Sequence, residues 1–407
     1  MTILMRLKEF CKAPHDRIGT PLLQFNMKLQ KDIYVFWYKH CFSFKLSVGR
    51  KPEVKLCPVS SYPVWLVFVS ILIGVVPLTS LCVHESIFHT GYVPQVLLFF
   101  YFLVDFIGIT TLLTYILFFT HPESVEAINA LLSLFESQNV ARLHSDRATY
   151  NEVDLVGIMS TLLTFVVLGQ TFLLPALLVY AEIDANFYFF NLFISPTFSR
   201  TFCGVAIRII LMFICMCETM RSINLMSLFG LLFLCTTLRM LKMLMRHRYS
   251  QNSHWRMYTQ LQIIFKIVYP SYKKGNFIIA LALQPLLCLL AWLAIKGWGR
   301  VLIALWALFT TTFVLGVFIM IVYMTSSAKI NTDSGRLIDS QRTRFYSTRR
   351  MGKWNYYLLW RIWVAQSTLV VPYGANLEFS RSTPTMYFNL LANNSANMLI
   401  CFDSSSS

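Results

Sequence analysis

Charge is scarce in this chain. Only 13% of its 407 residues are Asp, Glu, Lys or Arg, whereas a soluble domain usually carries about 25%. Hydrophobic residues make up 56% of the sequence, and the mean hydropathy is +0.57. The apolar stretches are long and continuous, without the period-two alternation of membrane-barrel strands. The composition argues against a soluble globular protein and predicts an all-α polytopic membrane protein, since a bilayer admits only helices or a closed barrel.

Sequence signatures of catalysis are also lacking. The chain contains no HExxH, GxSxG, Walker or CxxC motif, and its ten cysteines do not have the spacing of metal ligands. We therefore expect no enzyme activity, no cofactor and no metal site. One disulfide stays open, between Cys82 and Cys203, because both cysteines fall at predicted outer ends of spans. The net charge of +16 fits the basic inner loops of a membrane protein better than a nucleic-acid partner, and none is expected.

Seven apolar stretches are candidates for membrane spans, and most reach the roughly 20 residues that a crossing helix needs. They lie at 62–82, 93–119, 154–181, 203–245, 276–296, 300–324 and 382–402. The fourth would extend about 65 Å at the helical rise of about 1.5 Å per residue, twice the hydrocarbon thickness. It is therefore either two spans or one long helix that leaves the membrane.

The positions of Lys and Arg favour one long helix. If the fourth stretch counts once and the N-terminus is inside, 30 of the 35 Lys and Arg residues are cytoplasmic. Two spans would move the basic segment 239–275 outside, against the positive-inside rule. The sequence thus predicts seven transmembrane helices with a cytoplasmic N-terminus and an extracellular C-terminus.

This topology divides the chain into four parts. They are a cytoplasmic N-terminal segment, a six-helix bundle with a long fourth helix, a cytoplasmic anchor segment, and a seventh helix with a short tail, at 1–61, 62–324, 325–381 and 382–407. The first part is basic and mixed, so no cleavable signal peptide is expected. Within the anchor segment, residues 349–366 mix Arg and Lys with aromatic residues. That stretch lies either in the membrane interface or against neighbouring cytosolic helices.

The seventh apolar stretch differs from the other six. Asn389, Asn393, Asn397 and Cys401 recur at intervals of four, which places them on one face of a helix. An unsatisfied polar group in hydrocarbon is costly, so this stripe must meet protein or water. We interpret it as the wall of an ion pathway. The alternative is that the amides join neighbouring helices.

An ion pathway of this kind also needs a constriction. The apolar residues Leu399 and Ile400, near the end of the same stretch, are the predicted apolar gate.

Polar residues within the spans, and aromatic residues at their outer ends, suggest a ligand site. Asp105, Gln170 and Arg208 lie in the second, third and fourth spans, and Tyr101 and Trp292 lie in the outer halves of the second and fifth. Apolar cavities with a few polar groups suit small molecules, so these five are the predicted ligand contacts. The alternatives are an aromatic belt at the headgroups and polar contacts that join helices.

Two segments in the C-terminal third carry a family resemblance. YTQLQIIFKIVY (258–269) precedes the fifth span, and LVVPYGANLEFSRSTPTMYFNLLANNS (369–395) leads into the seventh. Together with the topology, they resemble the arthropod chemoreceptor superfamily of gustatory and odorant receptors. The resemblance implies that Pro372 and Gly374 shape the approach to a pore-lining helix. It also implies a start of that helix near Thr385, Tyr387 and Phe388.

The resemblance further implies a tetrameric, ligand-gated, nonselective cation channel in the plasma membrane, built from identical or related receptor subunits. A small extracellular chemical, a tastant or an odorant, would open it. Gustatory members often end with Thr-Tyr, five apolar residues and Gln-Phe, and residues 394–402 match this pattern only at Phe402. The sequence therefore leaves taste and smell both open.

Two other functions stay open. A secondary transporter of a small solute is the main alternative, although no internal repeat is visible. A G-protein-coupled receptor is the second, but Asp146-Arg147 precedes the third span instead of following it, and the predicted orientation is reversed.

Overall fold

The computed structural model describes residues 12–13, 44–46, 54–56, 64–88, 126–135, 152–153, 155–246, 251–299, 301–347, 361–372 and 379–403. The helices in these ranges are α1 (Val64–Phe88), α2 (Glu126–Phe135), α3 (Leu155–Tyr180), α4 (Ala185–Phe193), α5 (Phe202–Arg246), α6 (Gln251–Lys296), α7 (Ile303–Ser347) and α8 (Thr383–Asp403). A 3-10 turn, Phe198–Arg200, connects α4 to α5.

Two short antiparallel strand pairs accompany the helices. β1 (Lys12–Ala13) pairs with β4 (Glu152–Val153), and β2 (Phe44–Leu46) pairs with β3 (Val54–Leu56). The first pair holds part of the N-terminal segment against the residues that immediately precede α3. The predicted all-α architecture is otherwise what the described residues show.

The third helix has the polarity of a membrane helix. Its polar side chains Thr164, Gln170 and Thr171 are buried, whereas its large apolar side chains Phe165 and Leu173 are exposed. A soluble protein would show the reverse arrangement. Apolar side chains are also exposed along α1, α5 and α7, at Leu72, Val76, Ile207, Ile210, Val314, Phe318 and Ile321. This outer surface is suited to lipid, because contact between these apolar side chains and lipid leaves no polar group without a hydrogen-bond partner.

Length and hydropathy agree with this arrangement. Among the residues searched, which are the described ones, Thr161–Tyr180 and the helix Ile303–Arg344 are long and apolar enough to cross a bilayer. Shorter apolar helical stretches lie in α1, α2, α5 and α6, at Leu72–Phe88, Glu126–Phe135, Phe202–Cys217 and Leu283–Lys296. The predicted second span, 93–119, lies outside the described residues.

Three helices are much longer than a membrane is thick. α5, α6 and α7 have 45, 46 and 45 residues, which is about 68 Å each at the usual helical rise. The hydrocarbon core is only about 30 Å, so each helix continues beyond it. The fourth apolar stretch is thus one continuous helix in the structure, and α6 joins the segment 258–269 to the fifth span without a break.

The continuity of α6 through Pro270 has a physical reason. A proline inside a helix costs about 3 kcal/mol, because it removes a hydrogen bond and crowds the preceding turn. Phe265, Val268 and Tyr272, on either side of it, are buried. Each large apolar side chain contributes about 1.5–3 kcal/mol when fully buried, so the packing outweighs the proline.

Segments that the sequence places in the cytoplasm share one core. This inner core joins α2, the second half of α5, the first half of α6, the second half of α7 and residues 363–371. Its members include Leu131, Leu241, Tyr258, Leu261, Ile330, Leu337 and Trp363. The described parts of the predicted inner segments 120–153, 239–275 and 325–381 therefore share this core, and the β1–β4 pair places Lys12–Ala13 beside the start of α3.

The opposite end of the bundle has its own core. This outer core joins α1, α3, α5, α6 and α7 through buried side chains that include Leu81, Leu178, Met212, Leu289 and Leu305. At its rim the ring centroids of His84 on α1 and Phe193 on α4 are 6.5 Å apart. The predicted outer loops 82–92 and 182–202 thus meet here.

Trp363 decides how the end of the amphipathic stretch 349–366 is placed. Its side chain is 0% exposed, and its ring centroid lies 5.9 Å from that of Tyr258. Tyr258 donates its hydroxyl proton to the carbonyl of Ser367 at 2.8 Å, and burial raises the pKa of Tyr258 to about 12, which keeps that proton in place. At Trp363 the stretch therefore packs on neighbouring helices and does not lie in the interface.

Trp363→Ala should destabilise the inner core. Removing a buried tryptophan side chain costs about 3–5 kcal/mol, because it leaves a cavity. The adjacent Val364 is 45% exposed, so Val364→Ala is the matched control and should change stability by no more than about 0.5 kcal/mol. Thermal unfolding of the detergent-purified protein measures both, and equal shifts would contradict this placement of Trp363.

Candidate pore helix and outer ligand region

The start of α8 is held by local hydrogen bonds. Ser380 donates its backbone N–H to Oγ1 of Thr383 at 2.9 Å, and Met386 donates its N–H to the Ser382 carbonyl at 3.0 Å. Pro384 lies in the first turn, where a missing N–H costs no helical hydrogen bond. These features begin the helix at Thr383, close to the start that the family resemblance implies.

One face of α8 packs on the bundle. Tyr387 and Leu391 are buried, and Phe388 and Met398 pack against the same clusters. The Leu391 carbonyl accepts a weak hydrogen bond from the thiol of Cys288 on α6, at 3.9 Å. α8 therefore has one packed side, which faces α6 and α7.

The amide stripe lies on the other face. Asn389, Asn393 and Asn397 are all exposed on the single chain. Ile400 is 69% exposed and follows Asn393 by seven residues, two helical turns, so it shares that face. Leu399 is only half-buried, next to the packed side.

Two further polar residues belong to this helix, Cys401 and Asn394. Cys401 belongs to α8, but its side chain lies outside the described residues. Asn394, which sequence reasoning did not include, is half-buried on the packed side.

This arrangement separates two interpretations of the stripe. The amides do not face the bundle of their own chain, so they do not join α8 to α6 or α7. A membrane-length helix that exposes three amides needs water or another protein surface beside it, because lipid offers no hydrogen bonds. Within the described part of the chain, the stripe is thus turned away from the helices that α8 packs against.

The predicted ligand contacts fall in different environments. Tyr101 and Asp105 lie outside the described residues. Gln170 is 7% exposed and donates its side-chain amide to the hydroxyl of Thr312 on α7. The Thr312 hydroxyl in turn bonds to the Leu308 carbonyl at 2.7 Å. Gln170 is thus a polar link between α3 and α7 within apolar surroundings.

Arg208 holds the outer end of the bundle together. Its side chain is 1% exposed and forms a bidentate ion pair with Asp184, which is 0% exposed. It also donates to the carbonyls of Ser199, at 3.0 Å, and Val179, at 3.3 Å. Its guanidinium lies over the ring of Phe187, 4.8 Å from the centroid. These contacts tie α5 to α3, α4 and the 3-10 turn.

Sequence reasoning missed Asp184. Besides pairing with Arg208, its carboxylate accepts the backbone N–H of Phe187 at 2.9 Å and so caps α4. An acidic residue immediately before an apolar stretch is a helix-start signal that could have found it. A buried carboxylate is costly unless it has both a counter-charge and hydrogen-bond donors. Asp184 obtains these from the Arg208 guanidinium and from the Phe187 backbone N–H.

Trp292, Cys82, Cys203 and Gly204 also lie at the outer end of the bundle. Trp292 is partly buried and packs against the outer core. Cys82 is half-buried and Cys203 is exposed, and both are free thiols. Gly204 allows a close approach, since a Cβ there would lie 2.0 Å from the Phe198 carbonyl oxygen. Among the described residues, no cluster of three His, Cys, Asp or Glu side chains is placed to hold a metal ion.

These features define a class of protein: an all-helical membrane bundle with an inner domain built from extended helices and a peripheral amide-bearing last helix. No protein-family model matches the sequence, and no characterised protein matches it in sequence. The fold is similar to that of the insect olfactory receptor OR5 from Machilis hrabei, with a TM-score of 0.52 and 14% identity. The similarity covers 92% of this chain and 99% of that receptor. The all-α membrane fold and the predicted resemblance are thus confirmed at the level of the fold.

The ion pair between Arg208 and Asp184 should dominate the stability of the outer end. Asp184→Asn leaves a buried guanidinium without its counter-charge, and breaking a buried pair in this way costs about 3–5 kcal/mol. Glu182→Gln is the matched control, because it breaks the exposed Arg200–Glu182 pair, whose atoms are 2.9 Å apart, and exposed pairs contribute about 0–1 kcal/mol. The thermal midpoints of the two purified variants test this, and comparable losses would refute the assignment.

Proposed function

We propose that the chain is a chemosensory receptor subunit of a ligand-gated, nonselective cation channel in the plasma membrane. The observation that carries the proposal is the exposed amide face of α8. Copies arranged around an axis would turn Asn389, Asn393 and Asn397 toward a shared water-filled path. The fold shared with an insect olfactory receptor supports the same function.

The channel chemistry follows from the side chains of that face. Neutral amides can replace part of the hydration shell of a cation without a strong preference for its size, so weak selectivity is expected. Ile400 lies on the same exposed face and would form the apolar constriction. Leu399 is the weaker candidate for that constriction, since it is turned toward the packed side.

Assembly is the second part of the proposal. A tetramer of identical or related subunits would give each exposed α8 a protein or water environment and remove the amides from lipid. The inner core, which brings together the long ends of α5, α6 and α7, would hold the subunits on the cytoplasmic side. A small apolar chemical would bind in the outer half, with Gln170 among its polar neighbours.

The relative placement of the loops supports the proposed orientation. Described residues of 120–153, 239–275 and 325–381 share the inner core, and Lys12–Ala13 of segment 1–61 pairs with Glu152–Val153. Together these four segments hold 30 of the 35 Lys and Arg residues. A basic end belongs in the cytoplasm. The N-terminus would then be inside and the C-terminus outside.

Asn397→Leu should alter permeation. Loss of an amide contact of about 1 kcal/mol corresponds to about a fivefold change in ion occupancy at that site. The measurement is patch recording of conductance and reversal potential in cells exposed to a panel of small alcohols, esters, amines and sugars. Asn394→Leu is the matched control, because the same change on the packed side should leave permeation unaltered. Unchanged permeation in Asn397→Leu at normal surface expression would remove α8 from the pore.

Epitope tags at the two termini should be reached from opposite sides of the membrane. The N-terminal tag should be stained only in permeabilised cells and the C-terminal tag in intact cells, because the basic end faces the cytoplasm. A fully intracellular tag on a cytosolic marker protein shows that the intact cells are sealed. An N-terminal tag stained in intact cells would instead favour a G-protein-coupled receptor.

A further inference from the structure

Polar side chains connect α7, α6 and the segment before α8, here called the pre-pore segment (residues 367–372 and 379–382). Tyr323 on α7 donates its hydroxyl proton to Oδ1 of Asn276 on α6, at 2.7 Å. Asn276 donates its Nδ2–H to the carbonyl of Pro372 in the pre-pore segment, at 2.9 Å. The three residues therefore form one continuous hydrogen-bonded chain.

Chemistry sets the direction of this chain. A carbonyl oxygen can only accept, so the atom of Asn276 that faces Pro372 must be the amide nitrogen. The amide oxygen then faces Tyr323, whose hydroxyl must be the donor. The orientation of the asparagine is thus determined by its two partners.

The ring of Tyr323 adds two further contacts. It packs edge-on against Phe379, with ring centroids 5.9 Å apart and an interplanar angle of 79°. On its other side a Cβ at Gly230 of α5 would lie 3.4 Å from Tyr323 Cε2, so the ring is held against α5 as well. Phe379 is buried and donates its N–H to the Val371 carbonyl at 3.3 Å, which closes the pre-pore segment on itself.

Tyr323 consequently lies where α5, α6 and the described part of the pre-pore segment meet α7. It contacts α5 and α6 directly, and it reaches the pre-pore segment through both Asn276 and Phe379. Thr312, the partner of Gln170, lies on the same continuous helix α7, about 16 Å away along its axis at the usual rise. A displacement of α7 in the outer half would therefore arrive at Tyr323 through an unbroken helix.

We propose that Tyr323 and Asn276 are positioning residues that transmit movements of α6 and α7 to the pore helix through Pro372. This inference rests on the proposed function of the chain as a channel subunit. The two residues touch neither the permeating ion nor the ligand. They set the position of the pre-pore segment, and thereby the balance between the closed and open arrangements of α8.

Tyr323→Phe tests the proposal with the smallest change. It removes the hydroxyl and keeps the ring contacts with Phe379 and Gly230. The net contribution of one hydrogen bond corresponds to about a two- to tenfold change in an equilibrium. The open fraction without ligand should change by that factor, while the unitary conductance stays the same. Both are recorded as unitary currents of the purified channel in planar bilayers with the same KCl solution on the two sides. Tyr269→Phe is the control, since Tyr269 is an exposed tyrosine on α6.

A double-mutant cycle separates transmission from general stability. Asn276→Ala should shift the open fraction in the same direction as Tyr323→Phe. The double variant should shift it no further than Asn276→Ala alone, because both substitutions interrupt the same series of hydrogen bonds. An unchanged open fraction in Tyr323→Phe, or fully additive effects in the double variant, would overturn the proposal.

A second readout keeps the outcome distinguishable from a failure of the proposed function. If the wild-type protein carries no current with or without the chemical panel, the channel function fails. The positioning is then judged by hydrogen exchange at the Phe379 amide, which should accelerate about two- to tenfold in Tyr323→Phe and not in Tyr269→Phe. Equal exchange in the two variants would overturn the positioning as well.

Discussion

The packing of Tyr387 and Leu391 against α6 determines which way the last helix faces, and the rest of the structure depends on it. With those two side chains buried, the amides of Asn389, Asn393 and Asn397 must point away from their own bundle. In lipid they would lack hydrogen-bond partners, whereas around an axis of several copies they would meet water. Under the proposed function, neighbouring copies would supply the water-lined surroundings that such a polar face needs in a membrane.

Several buried polar groups elsewhere in the bundle find their hydrogen-bond partners inside the chain. Arg208 and Asp184 pair with each other and form hydrogen bonds to three neighbouring elements, α3, α4 and the 3-10 turn, and Gln170 is joined to Thr312. Each of these groups is buried with its partner inside the chain, so it stabilises the bundle without a second subunit. The contrast with α8 is informative: these buried groups have partners inside the chain, whereas the three amides of α8 are exposed on it. This difference supports the proposed path that several chains would share.

Much of the architecture was predictable because hydrophobicity and charge act over whole segments. The single long fourth helix followed from the basic residues of 239–275, and the structure has α5 unbroken from Phe202 to Arg246. The joining of 258–269 to the fifth span was not predictable, since Pro270 reads as a break unless the packing of Val268 and Tyr272 is known. Arg208 was predicted from the sequence as an ionisable ligand contact within the fourth span. Its partner Asp184 lies 24 positions away, and that pairing depends on the turn between α3 and α4.

By itself the sequence determined that the chain is an all-α membrane protein and which segments between its apolar stretches are basic. It also determined that four polar residues recur on one face of the last helix. These properties depend on composition and on the period of a helix, which are local. Only the tertiary structure decided that this face is turned away from the described bundle, and that Tyr323, Asn276 and Pro372 meet before it. Those are contacts between residues far apart in the chain, and their geometry follows from how the helices pack against one another, which no single segment encodes.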